Sequence, residues 1–283
     1  MTDASKTDAI KTAHGLAVAV TDLTPPWSRA SRPVVLHHGI GTNRDIWAGW
    51  LPFLAGTRRC IRFDTRGYGL SDVPPREHTW SLDAMVADLM EVVATAGSGP
   101  VHLIGESLGG TVVLAAASRH PDRVASATVC NTAYKGSGIQ HVKAWRDEFR
   151  KVGVRAWSRT MMERRFVQGV LNEAQRSWFE TEQDKSLEHV TVGLGEMLAA
   201  ADLTAELPKL KAPLLILMPD RSPFVPARLA AELAELVPQA ELCTFPGVRH
   251  GLPFSHAAEC AARTAAFIER AERGDTGRAR LAK

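Results

Sequence analysis

Short apolar runs rich in β-branched residues recur along this chain, and between most of them apolar positions return every three to four residues. The runs Leu16–Thr21, Val34–His37, Cys60–Asp64, Val101–Ile104, Ala127–Cys130, Leu214–Met218 and Glu241–Phe245 read as strands. Helical spacing predicts helices over Ser81–Ala96, Leu108–Arg119, Pro226–Leu236 and Ala257–Glu272. Strands alternating with helices predict an α/β fold around a largely parallel sheet. The alternation breaks between Lys135 and Ala205, where the periodicity is helical and the aromatic residues Trp145, Phe149, Trp157, Phe166, Trp178 and Phe179 gather. A helical insertion between two strands reads as a cap over the C-terminal edge of the sheet, where ligands of open α/β sheets bind. The expected division is therefore a core in two parts (1–134 and 206–272), a helical cap (135–205) and a polar, basic tail (273–283).

The densest chemical signal is Gly105-Glu106-Ser107-Leu108-Gly109-Gly110, placed between a predicted strand and a predicted helix. A Ser spaced G-x-S-x-G at a strand-to-helix turn describes a nucleophile elbow, in which small residues allow the sharp bend and the hydroxyl stands clear of the sheet. A neutral hydroxyl needs a base and donors for a developing oxyanion. His250, in the loop Phe245-Pro246-Gly247-Val248-Arg249-His250-Gly251 beyond the last strand, is the expected base. His38, His102, His120 and His256 are its alternatives, with His102 inside a strand and His120 at a helix end. The expected oxyanion donors are the N–H groups of Leu108, directly after the serine, and Ile40, in the glycine-rich turn His37-His38-Gly39-Ile40-Gly41.

Composition narrows the partners. A net charge of +3 with 45% apolar and 23% charged residues gives no basis for a nucleic-acid or membrane surface. No apolar run approaches the roughly 18 residues of a membrane span, and the start lacks the basic-then-apolar layout of a secretory signal, so a cytoplasmic protein is expected. Cys60, Cys130, Cys243 and Cys260 have no metal or Cys-x-x-Cys spacing; neither a metal nor a cofactor is expected. The first half of the cap is basic, with Lys135, Lys143, Arg146, Arg150, Lys151, Arg155, Arg159, Arg164 and Arg165, and the second half is acidic. Two solvated helices of opposite charge account for that pattern. An inward-facing arginine would instead hold a substrate carboxylate, and Arg164, Arg165 and Trp157 are the candidates for substrate contact. The expected partner is a small molecule, and pairing of cap helices would give a homodimer.

His38-Gly39, Asp64-Thr65-Arg66-Gly67-Tyr68-Gly69-Leu70-Ser71-Asp72, the elbow and the late Gly247-Val248-Arg249-His250 together resemble the α/β-hydrolase superfamily, from about residue 14 to about residue 270. Within it, the run through Val73-Pro74-Pro75 and Cys130-Asn131-Thr132-Ala133 is similar to 3-oxoadipate enol-lactonases. The resemblance implies an α/β-hydrolase fold (a mostly parallel eight-stranded sheet flanked by helices, with a helical cap), serine-dependent hydrolysis, and scaffold roles for Arg66 and Asp72. The sequence departs from the family at the third triad member. Counting back four residues from Pro226 reaches Ser222 rather than a carboxylate. Asp220 is the nearest acid and is assigned the role; Asn131 with Ser222 is the alternative means of orienting His250. The expected activity is hydrolysis of a small, anionic ester or lactone through an acyl-enzyme. Hydrolysis of a carbon–carbon bond in a product of aromatic-ring cleavage uses the same residues, and a non-catalytic small-ligand receptor on the same fold is the reading outside enzymes.

Overall fold

In the computed structural model, which describes residues 10–28, 31–140 and 144–275, the apolar runs become β1 (Ile10–Lys11), β2 (Ala17–Thr21), β3 (Val34–His37), β4 (Cys60–Phe63), β5 (Val101–Glu106), β6 (Val124–Cys130), β7 (Leu214–Pro219) and β8 (Glu241–Phe245). They form one sheet in the order β1-β2-β4-β3-β5-β6-β7-β8. The β1–β2 and β2–β4 pairs are antiparallel, and every pair from β4 to β8 is parallel. β3, β4, β5 and β7 are buried along their whole length, as strands covered by helices on both faces must be. β1 was not anticipated: its two residues are exposed and carry no apolar pattern.

The helices are α1 (Leu51–Leu54), α2 (Leu82–Thr95), α3 (Leu108–Arg119), α4 (Trp145–Arg165), α5 (Glu173–Asp184), α6 (Glu188–Ala200), α7 (Ala227–Leu236), α8 (Leu252–Ser255) and α9 (Ala257–Glu272). Ser81 starts α2, its hydroxyl accepting from the N–H of Ala84 at 3.1 Å. α5 opens with a reciprocal capping box between Asn172 and Gln175. α1, α8 and the 3₁₀ turn over Arg44–Trp50 were missed because each is too short to show a period. α2 and α3, the latter through Val112 and Leu114, share the larger core with Val35 and Leu103, while Trp47, Trp50, Leu217 and Phe267 belong to the core on the other side.

Between β6 and β7 run α4, α5 and α6, with Gly153 at φ +74° interrupting α4. The chain departs from β3 toward β4 on one side and returns to β5 on the other. That reversal is the switch point of the sheet, where the carboxyl ends of adjacent strands leave a crevice. Lys143 and residues 276–283 of the predicted tail lie outside the described residues.

Candidate active site

Ser107 stands at the switch point, between the end of β5 and the first turn of α3. Its backbone is at φ +53°, ψ −115°, a left-handed setting that costs a non-glycine residue about 1–3 kcal/mol and persists only where the surroundings impose it. The Ser107 N–H donates to the Cys130 carbonyl at 2.9 Å, and the Thr111 hydroxyl donates to the Ala133 carbonyl at 2.7 Å. The glycines of the motif supply close approach rather than unusual dihedrals: a Cβ on Gly105 would lie 2.5 Å from the Gly109 carbonyl oxygen, and one on Gly110 would collide with the Thr132 hydroxyl.

His250, far away in the sequence, meets this serine: Nε2 lies 3.0 Å from Ser107 Oγ. The ring is buried, packed edge-on against Phe224 with centroids 4.9 Å apart. Burial, and secondly the charge of Arg165, hold its pKa well below the usual 6.5, so the imidazole is neutral at neutral pH. The other four candidate histidines are occupied elsewhere. His38 has Nδ1 2.7 Å from the Gly39 carbonyl and accepts from the Thr65 N–H on Nε2 at 2.9 Å. His102 lies between Ser126 and Glu272, His256 beside Ser255, and His120 caps the end of α3.

The far ring nitrogen of His250 corrects one expectation. Nδ1 lies 3.0 Å from the hydroxyl of Ser222, not from a carboxylate. Asp220 is exposed, and its Oδ1 accepts from the Gly247 N–H at 2.7 Å, lacing the loop after β7 to the loop after β8. It is therefore a loop tie rather than a ring partner. Asn131, at φ +44°, donates from its amide to Glu106 at 3.2 Å and does not reach the imidazole either.

The expected oxyanion donors are unoccupied. Among the described residues, neither the Ile40 nor the Leu108 N–H donates a hydrogen bond within the protein. Leu108 opens α3, where backbone N–H groups point out of the helix. Ile40 lines the same cavity as Ser107. Beneath the Ile40 turn lies Glu106, whose buried carboxyl has its pKa raised by burial against the opposing pull of Arg165, Asn131 and the Gly39 N–H.

Arg165 joins the parts. The residue is 4% exposed, and its guanidinium donates to the Ile40 carbonyl at 2.7 Å and lies over the Phe179 ring at 5.5 Å. Its own carbonyl accepts from the Gly251 N–H at 2.8 Å, next to His250. One residue thus fastens the end of α4 to both the Ile40 turn and the His250 loop. Arg164 turns away and pairs with Glu148 at 3.2 Å. Trp157 is buried behind the site, stacked on Phe149 at 4.5 Å, and supports Trp145 rather than facing the serine. Trp157, Met161 and Arg165 follow each other at intervals of four on the buried face of α4, whereas Arg164 is a step of about 100° around the helix. That spacing was available in the sequence.

Ser107, His250, Arg165 and Ile40 line one pocket with Trp145, Phe224 and four smaller apolar residues. Sequence reasoning did not single out Phe224 and Val225, which follow Ser222 and close the cavity beside His250. A hydroxyl in contact with an imidazole, with N–H groups free beside it, is the arrangement that acyl transfer to serine uses. Arg66 is held away from this chamber by a two-pronged pair with Asp88, both contacts at 2.6 Å.

A sequence model described as the alpha/beta hydrolase fold matches residues 32–257. The pimeloyl-[acyl-carrier protein] methyl ester esterase of Methylococcus capsulatus (strain Bath) is 32% identical over 220 residues, covering 72% of this chain and 81% of that protein. The 2-hydroxymuconate semialdehyde hydrolase of Pseudomonas sp. (strain CF600) is 25% identical over 256 residues, covering 87% and 89%. Among solved structures, the enol-lactonase from Burkholderia xenovorans LB400 superposes with a TM-score of 0.82 at 22% identity, covering 92% of this chain and 99% of that one, a likeness of fold. No helix among the described residues is long and apolar enough to cross a membrane.

Proposed function

Because the chain belongs to the α/β-hydrolase family, we propose that it is a serine hydrolase of a small ester or lactone that carries a carboxylate. The observation that carries the reading is the 3.0 Å contact between Ser107 Oγ and His250 Nε2 in a mostly apolar pocket that Arg165 also lines. Ser107 attacks the carbonyl carbon and gives its proton to His250. The Ile40 and Leu108 N–H groups hold the oxyanion, and His250 returns the proton to the departing oxygen. A water, deprotonated by the same imidazole, then releases the acyl group. The apolar wall of Trp145, Ile139 and Leu198 suits a short acyl chain, and Arg165 supplies a fixed positive charge for an anionic end. Ser107→Ala is expected to lower turnover of an activated aryl ester and of an enol-lactone by at least about a thousandfold; retained turnover would end the nucleophile assignment.

The relationship to a 2-hydroxymuconate semialdehyde hydrolase over 87% of the chain favours carbon–carbon bond hydrolysis as the second reading. The same serine and imidazole serve both, so the fold does not choose between them. Turnover of vinylogous diketones with none of esters or lactones would replace the first reading by the second. Ser222 beside His250 is the feature that supports a receptor; tight ligand binding with no phosphonate adduct on Ser107 is the result that would favour it.

A further inference from the structure

Three groups surround the Ser222 oxygen: the Phe224 N–H at 3.3 Å, the Val225 N–H at 3.1 Å, and His250 Nδ1 at 3.0 Å. A backbone N–H can only donate. A hydroxyl oxygen has two lone pairs and one proton, so the two backbone donors use both lone pairs and leave the O–H for the third neighbour. We propose that Ser222 donates its hydroxyl proton to Nδ1 of His250, so that the resting imidazole carries its own proton on Nε2, facing Ser107, and the pair is held in the unreactive tautomer. The inference deepens the serine-hydrolase reading and rests on Ser107 and His250 being its working pair.

A neutral imidazole has one N–H, and a nitrogen that accepts cannot also carry it. His38 shows the opposite setting in the same molecule: the Thr65 N–H occupies Nε2, which leaves the ring proton on Nδ1 for the Gly39 carbonyl. A carboxylate at position 222 would offer about four lone-pair sites, enough to accept both backbone N–H groups and Nδ1–H together. The hydroxyl lacks that capacity. With the proton on Nε2, Ser107 Oγ accepts a hydrogen bond from the group that must take its proton. Attack requires the ring proton to move from Nε2 to Nδ1, with the Ser222 O–H turning away and one backbone donor released. Phe224 and Val225 carry those donors and also line the cavity, so a ligand that presses on them acts directly on the hold over His250. Ser222 is thus a positioning residue that acts through the imidazole.

Two-bond ¹H–¹⁵N correlation of the full-length ¹⁵N-labelled protein above neutral pH, with His250 assigned by its loss in His250→Asn, reads the tautomer directly. The expected wild-type pattern is Nε2–H; an Nδ1–H pattern overturns the proposal. Ser222→Asp is expected to show Nδ1–H and to react with a fluorophosphonate at Ser107 at least about tenfold faster, since a wrong imidazole tautomer alone costs a serine protease about 10⁴ in rate. An Nδ1–H spectrum in Ser222→Asp without a faster reaction overturns the claim that the tautomer restrains the serine. Should that variant not fold, the wild-type spectrum still decides. Absence of phosphonate labelling in both proteins would sink the hydrolase reading, while the spectrum would still answer for the tautomer.

Discussion

The elbow that carries Ser107 and the loop that carries Ser222 touch the same imidazole from opposite sides, and they tolerate change to different degrees. At the elbow, strained backbone, three glycines without room for a methyl group and hydrogen bonds to β6 and its following loop all impose one geometry. In the loop after β7, two backbone N–H groups converge on the side chain at position 222, and that side chain is a hydroxyl. Backbone packing therefore fixes where Ser107 stands, whereas the chemistry at position 222 is set by one side chain held by two backbone donors. The first determines whether the site exists, and the second sets how readily it acts.

The largest effect expected from that contrast lies on the elbow side. Gly105→Ala forces a methyl group to 2.5 Å from a backbone oxygen that cannot step aside. Destabilisation of about 3 kcal/mol, the upper part of the range for overpacking, should accompany loss of phosphonate labelling at Ser107. Denaturant titration with labelling checks both; a variant that folds and labels normally would show that the elbow is softer than its packing indicates. Next in size is Arg165→Met. Losing a charge-assisted hydrogen bond costs about 1.5–3 kcal/mol, so KM for a carboxylate-bearing ester should rise at least about tenfold, against a smaller rise for its neutral methyl analogue. Because Arg165 also holds the Ile40 carbonyl, kcat should fall for both substrates. Equal changes in KM would remove the anionic-substrate reading and leave Arg165 as a tie only.

Acid should also weaken the elbow side. His37 and His38 leave β3 beneath it, with His37 lying where a Cβ on Gly109 would fall, and burial lowers their pKa values to about 3 and about 4. His102 in β5 is lowered to about 4 by burial. These folded-state values lie below the unfolded value near 6.5, so the unfolded chain takes up protons first as pH falls. Their contribution is intact above about pH 6.5 and is lost progressively down to about 4, and to about 3 for His37. Denaturation midpoints at pH 8, 6.5, 5 and 4 should fall steadily below 6.5. His102→Gln should flatten part of the slope. A midpoint constant to pH 4 would contradict neutral burial of these rings.

The same contrast explains what was legible in the sequence. The elbow could be read because its geometry demands particular residues: glycine where backbones meet, serine between them, an apolar strand before and a helix after. Strands buried on both faces could be read for the same reason, while β1 could not, having only exposed residues and hydrogen bonds to show for itself. At position 222 spacing and chemistry disagreed. The count from Pro226 pointed to Ser222, and the preference for a carboxylate pointed to Asp220; the backbone frame followed the count. Arg165 is separable from Arg164 by helical phase, since Trp157, Met161 and Arg165 follow at intervals of four after the break at Gly153.

Asp220→Asn is the smallest expected effect and the cleanest separation of the two sides. The carboxylate oxygen accepts one backbone N–H, from Gly247, and an amide oxygen can accept the same bond at the same place. Exchanging a charged acceptor for a neutral one at an exposed site should cost less than about 1 kcal/mol of stability and change kcat by no more than about threefold. If Asp220 oriented His250 instead, the substitution would act as the corresponding Asp→Asn change does in a serine protease, lowering kcat by about 10⁴. The two expectations differ by more than three orders of magnitude, so a single kcat measurement on purified protein separates them. A near-normal rate leaves Ser222 as the partner of Nδ1; a collapse would mean that the loop rearranges during turnover and brings the carboxylate to the ring.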